Sequence, residues 1–576
     1  MALEFQLLLS SYFPPIYRLL APLLLAAWFW PRMGSRFFAA IERRGSRLAA
    51  HTSLSILLVA FLLTGARLAL LPVERIPAPA VQDEFSYLLA GDTYAHGRLT
   101  NPPHPQWVFF ETAHVNVLPT YMSKYPPAQG AALAVGEWLG NPWFGVLLSI
   151  AVMCSAVTWM LQGWMPRRWA LLGGLLAAGR FLAGPVYASN YWLESYWGGA
   201  MPALGGALAL GALPRLMRRQ KIGDGILLGL GIALLANSRP YEGLVFCLPL
   251  GAALAWWLFR RGGSAPLSPR PARWTALAPA AAVLALTAAF MAYNNWRVTG
   301  NALLFPYVVN DRTYVSTPHF AWQSLAPPRT FQNPQLDAIF NGWCRATWQR
   351  ERFRFTWDGI DWGLLRKLNL LQGFYLPVPF MLPIVLAWRG LLRNRKAIFL
   401  SAVCLCTTLG LVPVVWFQPH YAAAMTAAAI ALSMMGLRYL RTWSPGGRPV
   451  GIAMTRALVL AHLCLVPMNI LPIRVGRSIH TSCPVWACDR AILASQLESM
   501  PGKQLVLVRY SPAHNPNEQW VYNRADIDAA KVVWAQEIPG LDPQPLLDYF
   551  RGRKVWLLAV DSHPTKLQDY TPARSP

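Results

Sequence analysis

Two adjacent carboxylates, Asp83 and Glu84, open a polar stretch directly after the apolar run Leu54 to Leu71. A carboxylate is costly in hydrocarbon but serviceable at its rim, where it can take a proton from a hydroxyl brought to it. Acidic pairs are also common on solvated loops, so this pair gains meaning only from its surroundings. Asp92, His96, His104, Glu111, His114 and then Lys124-Tyr125-Pro126-Pro127 follow it before the next apolar stretch. Farther on, Arg180 lies inside an apolar run, Arg239-Pro240-Tyr241-Glu242 and Arg297 lie at the ends of two others, and His420-Tyr421 opens a late one. His96, His104, His114 and His319 lack the tight spacing of a zinc signature. No metal and no cofactor is expected.

The elements that must hold these residues follow from composition. Charged residues are 13% of the chain and hydrophobic residues 55%, far from the balance of a soluble domain and typical of repeated membrane crossing. The expected spans are Leu54–Leu71, Trp143–Gln162, Trp169–Ala188, Ala200–Leu213, Ile222–Ala236, Gly243–Phe259, Trp274–Ala292, Leu371–Trp388, Ala397–Phe417, Ala422–Leu437 and Ala457–Ile473. With Leu19–Trp30, which either crosses or lies in the interface, the total is about 11–12. The net charge of +25 is sorted by loop: Arg and Lys gather at 32–47, 167–168, 215–221, 260–273, 389–396 and 438–456, with Glu42 and Asp224 as the acids there. That is the positive-inside pattern, which explains the charge better than a nucleic-acid partner does.

Three long segments, 73–142, 293–370 and 474–576, then face away from the cytoplasm. The expected organisation is an N-terminal membrane-associated segment with a basic loop (1–53), a helical membrane domain (54–473) and an extracytoplasmic C-terminal domain (474–576). In that last domain, Gln504–Tyr510, Lys531–Gln536 and Val555–Val560 read as strands and Pro545–Arg551 as a short helix, a small α/β fold. Its Trp520, Tyr522, Trp534 and Trp556 are either core or a platform for sugars. Cys483 and Cys488 are expected to pair in an oxidising compartment, leaving Cys344 as an unpaired external thiol. Met1–Phe13 does not read as a cleavable signal peptide, and Gly262–Pro271 reads as a flexible cytoplasmic loop. No GxxxxGK[ST] phosphate loop occurs, so work on the outer side needs a substrate that arrives energised.

Asp83-Glu84-x-x-Tyr87 and Lys124-(Tyr125)-Pro126-Pro127 resemble motifs of the GT-C membrane glycosyltransferases, in the branch that includes protein O-mannosyltransferase-like, aminoarabinose transferase-like and RgtA/B/C/D-like enzymes. Tyr125 is an insertion in the second motif. Tyr293-Asn294, Gly300-Asn301, Arg239-Pro240 and His420-Tyr421 resemble further elements of that branch, in the same order. The resemblance implies inverting transfer of a single sugar from a polyprenyl-phosphate donor to a lipid, glycan or protein acceptor at the outer face of a bacterial-type cytoplasmic membrane. On that basis Asp83 is the expected base and Glu84 its orienting neighbour. Tyr87, Lys124, Arg239, Arg297, His420 and Tyr421 are expected to bind substrate, although Arg239 and Arg297 can equally reach lipid headgroups. Arg180 either holds the polyprenyl phosphate or pairs with an acid such as Glu194. Two other classes compete, a lipid or glycan transporter and a non-catalytic envelope assembly protein; the chain lacks the paired, broken-helix halves of the former.

Overall fold

The structure is a computed structural model that describes residues 19–182, 191–260, 270–474, 483–562 and 565–570. The expectations for Met1–Phe13, for the end of the Trp169–Ala188 run, for most of Gly262–Pro271 and for the segment just before Cys483 lie outside these residues.

Helices dominate, and among the described residues six are long and apolar enough to cross a membrane: Thr52–Ala69, Pro142–Trp164, Ala200–Arg219, Pro240–Phe259, Arg273–Thr299 and Pro419–Leu440. Their burial divides them into two groups. Pro142–Trp164, Ala200–Arg219 and Pro419–Leu440 bury 72, 78 and 89% of their apolar windows, whereas Thr52–Ala69, Pro240–Phe259 and Arg273–Thr299 bury 22, 33 and 11%. The first group forms the bundle interior, and the second turns apolar sides such as Phe61, Leu244 and Leu286 outward. An outward apolar belt of this kind calls for lipid or another apolar cover.

The described helices differ from the expected 11–12 spans. Ile222–Ala236 and Arg395–Leu411 are helices of 15 and 17 residues, whereas the run expected at Ala457–Ile473 lies within a helix of 25 residues, Val450–Arg474. The run expected as one span at Leu371–Trp388 is broken: helices Trp357–Tyr375 and Val378–Leu386 meet at 97°, which makes at most a seventh crossing. Pro377 explains the break, because a proline disfavours helical backbone at the residue before it, and Leu376 has φ −130° and ψ 56°.

Contacts gather the basic loops at one end of the bundle. Arg441 and Arg456 both grip Glu42, Lys396 Nζ donates to the Trp164 carbonyl, Arg218 to Gly163 and Arg167 to Ala50. At the opposite end lie the helix Gln82–Ala95, a two-stranded ribbon of β1 (Val115–Asn116) and β2 (Met122–Ser123), and the helix Pro306–Tyr314.

The C-terminal sheet contains β3 (Gln504–Arg509), β4 (Val532–Gln536), β5 (Lys554–Ala559) and β6 (Lys566–Asp569) in the order β4-β3-β5-β6, with β6 antiparallel and the other pairs parallel. Alternation along β3 sorts its two faces. Leu505 and Leu507 enter one core with Phe85, Leu89, Phe109, Phe110 and Val115 of the 73–142 segment; Val506 and Val508 enter a second core with Leu497, Trp520 and Trp534. The sheet therefore closes the core of the Gln82–Ala95 helix. Trp520, Tyr522 and Trp534 are 2, 6 and 4% exposed, so they serve as core rather than as an open sugar platform. Two elements absent from the sequence reading, the helix Val485–Ser499 and the edge strand β6, complete the domain. Cys483 and Cys488 are disulfide-bonded at its entrance, and Cys344 is buried among Tyr314, Leu336 and Phe340.

Candidate active site

Asp83 and Glu84 occupy the first turn of the Gln82–Ala95 helix rather than an irregular loop. Acidic residues suit this position because the first amides of a helix point outward and carry partial positive charge. Glu84 reaches back to the amides of Val81 (2.9 Å) and Ala80 (2.5 Å) with one oxygen, and its other oxygen accepts the Tyr196 amide at 2.9 Å. Burial pushes its carboxyl up to about 7 against the pull of those donors. With three amides to hold, Glu84 organises backbone, and both of its oxygens are engaged.

Asp83 is in the opposite situation. It is half-buried; the Tyr125 hydroxyl donates to its Oδ1, and its Oδ2 has no hydrogen bond among the described residues. One oxygen orients the carboxylate and the other remains available. Tyr125 is itself set by stacking on Tyr87, with centroids 4.4 Å apart and planes 18° from parallel. The residue that interrupts the Lys-Pro-Pro element is thus the one that bonds the carboxylate.

Lys124 is 5% exposed, its Nζ lies 4.8 Å from the Tyr307 ring centroid and 5.4 Å from that of Tyr125, and it makes no side-chain hydrogen bond among the described residues. Burial lowers its pKa, opposed by Asp311 and Asp83. An ammonium kept out of water with unfilled donors is ready for an anion. Arg239, at the start of the Pro240–Phe259 helix, lies 4.3 Å over the Tyr421 ring and 3.8 Å from the Glu242 carboxylate. Tyr87 lies within electrostatic reach of Asp83, Arg239 and Tyr421. His420 is 1% exposed, and its Nδ1 pairs with the Tyr191 hydroxyl at 3.0 Å.

Arg180 does not pair with Glu194. Glu194 is held by Arg67, which is fully buried and donates Nε at 2.9 Å and Nη2 at 3.1 Å to its two oxygens, and Nη1 to the Glu74 carbonyl. Arg180 instead makes one long contact, 3.5 Å to the Gly373 carbonyl, and lies 5.5 Å over Phe374; Tyr375 is within electrostatic reach of both Arg180 and Arg239. Arg297 stands apart, exposed, with its guanidinium on Tyr293. Asp83, Tyr87, Lys124, Arg239 and Tyr421 form one cluster, His420 adjoins it and Arg180 approaches through Tyr375.

Sequence reasoning missed Tyr125, Tyr191, Asp311 and Glu242 as members or close neighbours of the cluster, and Arg67 as an anchor. Tyr125 had a local signal in its place beside Lys124. Arg67 had one as a charge inside an apolar run, the same signal that marked Arg180. Among the described residues no group of His, Cys, Asp and Glu side chains is arranged to hold a metal ion.

No family model and no curated protein matches the chain. Similar solved structures include the Archaeoglobus fulgidus oligosaccharyltransferase tethered to an acceptor peptide with an NVT sequon (13% identity, TM-score 0.45, 80% of this chain and 62% of that one). They also include ArnT from Cupriavidus metallidurans bound to undecaprenyl phosphate (12% identity, TM-score 0.48, 86% of this chain and 92% of that one). The archaeal enzyme AglB is similar in a complex with an inhibitory peptide and a dolichol-phosphate (13% identity, TM-score 0.39, 79% of this chain and 59% of that one). The chain thus spans about three fifths of the archaeal enzyme's length and most of ArnT's. At this level of identity and TM-score the likenesses bear on neither substrate nor mechanism.

Proposed function

We propose that this chain is a polytopic membrane glycosyltransferase that transfers one sugar from a polyprenyl-phosphate donor, with inversion, to a lipid, glycan or protein acceptor outside the cytoplasm. The observation that carries this reading is Asp83: a carboxylate with one oxygen held by Tyr125 and the other without a hydrogen bond among the described residues, near the buried Lys124, whose ammonium makes no side-chain hydrogen bond among those residues, and near Arg239.

The acceptor hydroxyl gives its proton to Asp83 Oδ2 as its oxygen bonds to the anomeric carbon. The bond from that carbon to the phosphate oxygen breaks with its electron pair, and polyprenyl phosphate departs. Lys124, Arg239 and Arg180 oppose the negative charge on the leaving oxygen. Glu84 fixes the backbone from which Asp83 projects.

The test is Asp83→Asn, which keeps size and the Tyr125 partner but cannot accept the proton. Transfer should fall by about 10² to 10⁴, while the melting temperature stays near that of the parent. Transfer would be followed with a radiolabelled polyprenyl-phosphate sugar, and the acceptor identified by mass analysis of envelope lipids and glycans with and without the chain. Full transfer by a stably folded Asp83→Asn protein removes Asp83 as base. Unchanged envelope masses argue for the transporter or assembly alternatives.

A further inference from the structure

Beside Asp83 lies a second polar group that the transfer chemistry does not use. Asp311, on the Pro306–Tyr314 helix, accepts from or pairs with His319 Nε2 through Oδ2 at 2.7 Å, while its Oδ1 is buried with no partner. His319 is fixed on its other sides, since its carbonyl accepts the Val415 amide at 2.9 Å and its Nδ1 lies 3.4 Å from the Tyr307 hydroxyl. Asp311 is also the foremost of the charges acting on Lys124, ahead of Asp83, and it acts on His114 too. Asp311, His114, Lys124 and Asp83 thus share one neighbourhood.

Two more buried, unpartnered polar atoms belong to it, His114 Nδ1 and Trp416 Nε1. The Trp416 ring lies 5.8 Å from that of His319. Both residues have left-handed backbone, φ 66° at His114 and 55° at Trp416, and only Gln220 shares this among the described non-glycine residues. Strained backbone next to unfilled polar atoms marks a place prepared for something else, because each feature costs stability unless the surroundings or a ligand compensate.

The unfilled groups define the ligand. Lys124 Nζ and Trp416 Nε1 donate, and Asp311 Oδ1 accepts. Lys124 can meet the donor's phosphate, but neither that phosphate nor a simple cation would use Asp311 Oδ1 and Lys124 Nζ together. A neutral ring with several hydroxyls, each able to donate and accept, satisfies both signs. We propose that Asp311, Lys124, His114 and Trp416 form the subsite for the sugar ring of the lipid-linked donor, with Asp311 as its discriminating residue. This rests on the donor class proposed above.

The test measures binding, so it does not need turnover. Purified protein in nanodiscs would be titrated with undecaprenyl phosphate, bare or carrying glucose, galactose, mannose or an arabinose-type sugar. The parent should bind at least one sugar-bearing lipid more tightly than the bare one. Asp311→Asn should lower that affinity about 10- to 100-fold, as expected for a lost hydrogen bond to a charged acceptor, and should not weaken binding of the bare lipid. Asp83→Asn should keep the preference. A parent that binds all the lipids equally, an Asp311→Asn protein that keeps the preference, or equal loss for bare and sugar-bearing lipids each overturns the subsite. If Asp311→Asn weakens an acceptor glycan alone, the donor assignment falls. A parent that prefers a sugar-bearing lipid yet transfers nothing removes the transferase reading and leaves the subsite standing.

Discussion

Glu84 and Asp83 are neighbours in sequence with opposite tasks, and substitution should separate them. A glutamine at 84 has one oxygen to offer where the carboxylate uses two, and its amide NH₂ would face backbone donors. Glu84→Gln should therefore lower folding stability by about 1–3 kcal/mol, read by thermal or denaturant unfolding, whereas Asp83→Asn should not. His114 gives a pH signature. Burial and the nearby Lys124 push its imidazole down to about 4, so it is neutral in the folded protein at neutral pH. The unfolded chain takes up that proton near the ordinary value of 6.5, which means that stability is full above that pH and declines as pH falls from 6.5 towards 4. His114→Asn, in which asparagine tolerates left-handed backbone, should flatten the acid limb of the melting-temperature profile. The motifs made Asp83, Lys124 and Arg239 legible, because their side-chain types suit proton and phosphate chemistry. The asymmetry between Asp83 and Glu84 was not legible, because it is set by the Tyr196 amide from 112 residues away.

The short non-helical segment Tyr191–Trp197 links several elements. It supplies the Tyr196 amide to Glu84, Glu194 to Arg67 and the Tyr191 hydroxyl to His420. No periodicity announces such a segment, since its role lies in hydrogen bonds rather than in a buried face. From the other side, the Tyr522 hydroxyl sits 2.7 Å from the Gln82 carbonyl and 2.9 Å from that of Ala113, its ring stacks on Phe85 at 4.2 Å, and the Ala525 amide donates to Asp92. Tyr522→Phe removes the hydroxyl but keeps the stack. The expected outcome is faster amide exchange over residues 82–86 and a several-fold slower transfer, with about 1 kcal/mol lost in stability. Unchanged exchange there would mean that the stack alone holds the helix. The α/β character of the C-terminal domain was visible in its apolar strands. Its packing on the 73–142 segment was not, because alternation says which residues share a face but not what covers it.

For the whole molecule, the sorting of charge by loop was the clearest signal in the sequence, and the contacts around Glu42, Trp164 and Ala50 draw basic loops to the end away from Asp83. The sidedness follows as an expected outcome. A membrane-impermeant thiol reagent applied to spheroplasts should label Ser324→Cys, exposed beside the candidate site, and should spare Ser46→Cys, exposed among the basic loops. The reverse pattern would put Asp83 in the cytoplasm and remove the external donor. The span count was less legible, because Pro377 breaks a run whose hydropathy is continuous.

The core that joins Phe85 and Leu89 to Leu505 and Tyr522 also fixes an order of events during synthesis. Gln82 and Tyr522, which meet through one hydroxyl, are 440 residues apart in the chain. At about 5–20 residues per second, the ribosome adds the second roughly 20 to 90 s after the first. Through that interval the helix bearing Asp83 has already been made, while the sheet that covers its apolar side does not yet exist. A strand-rich segment made some 440 residues later therefore finishes the site that the Gln82–Ala95 helix begins, and a nascent chain gains its complete Asp83 environment only once that segment has been made and has packed against the helix.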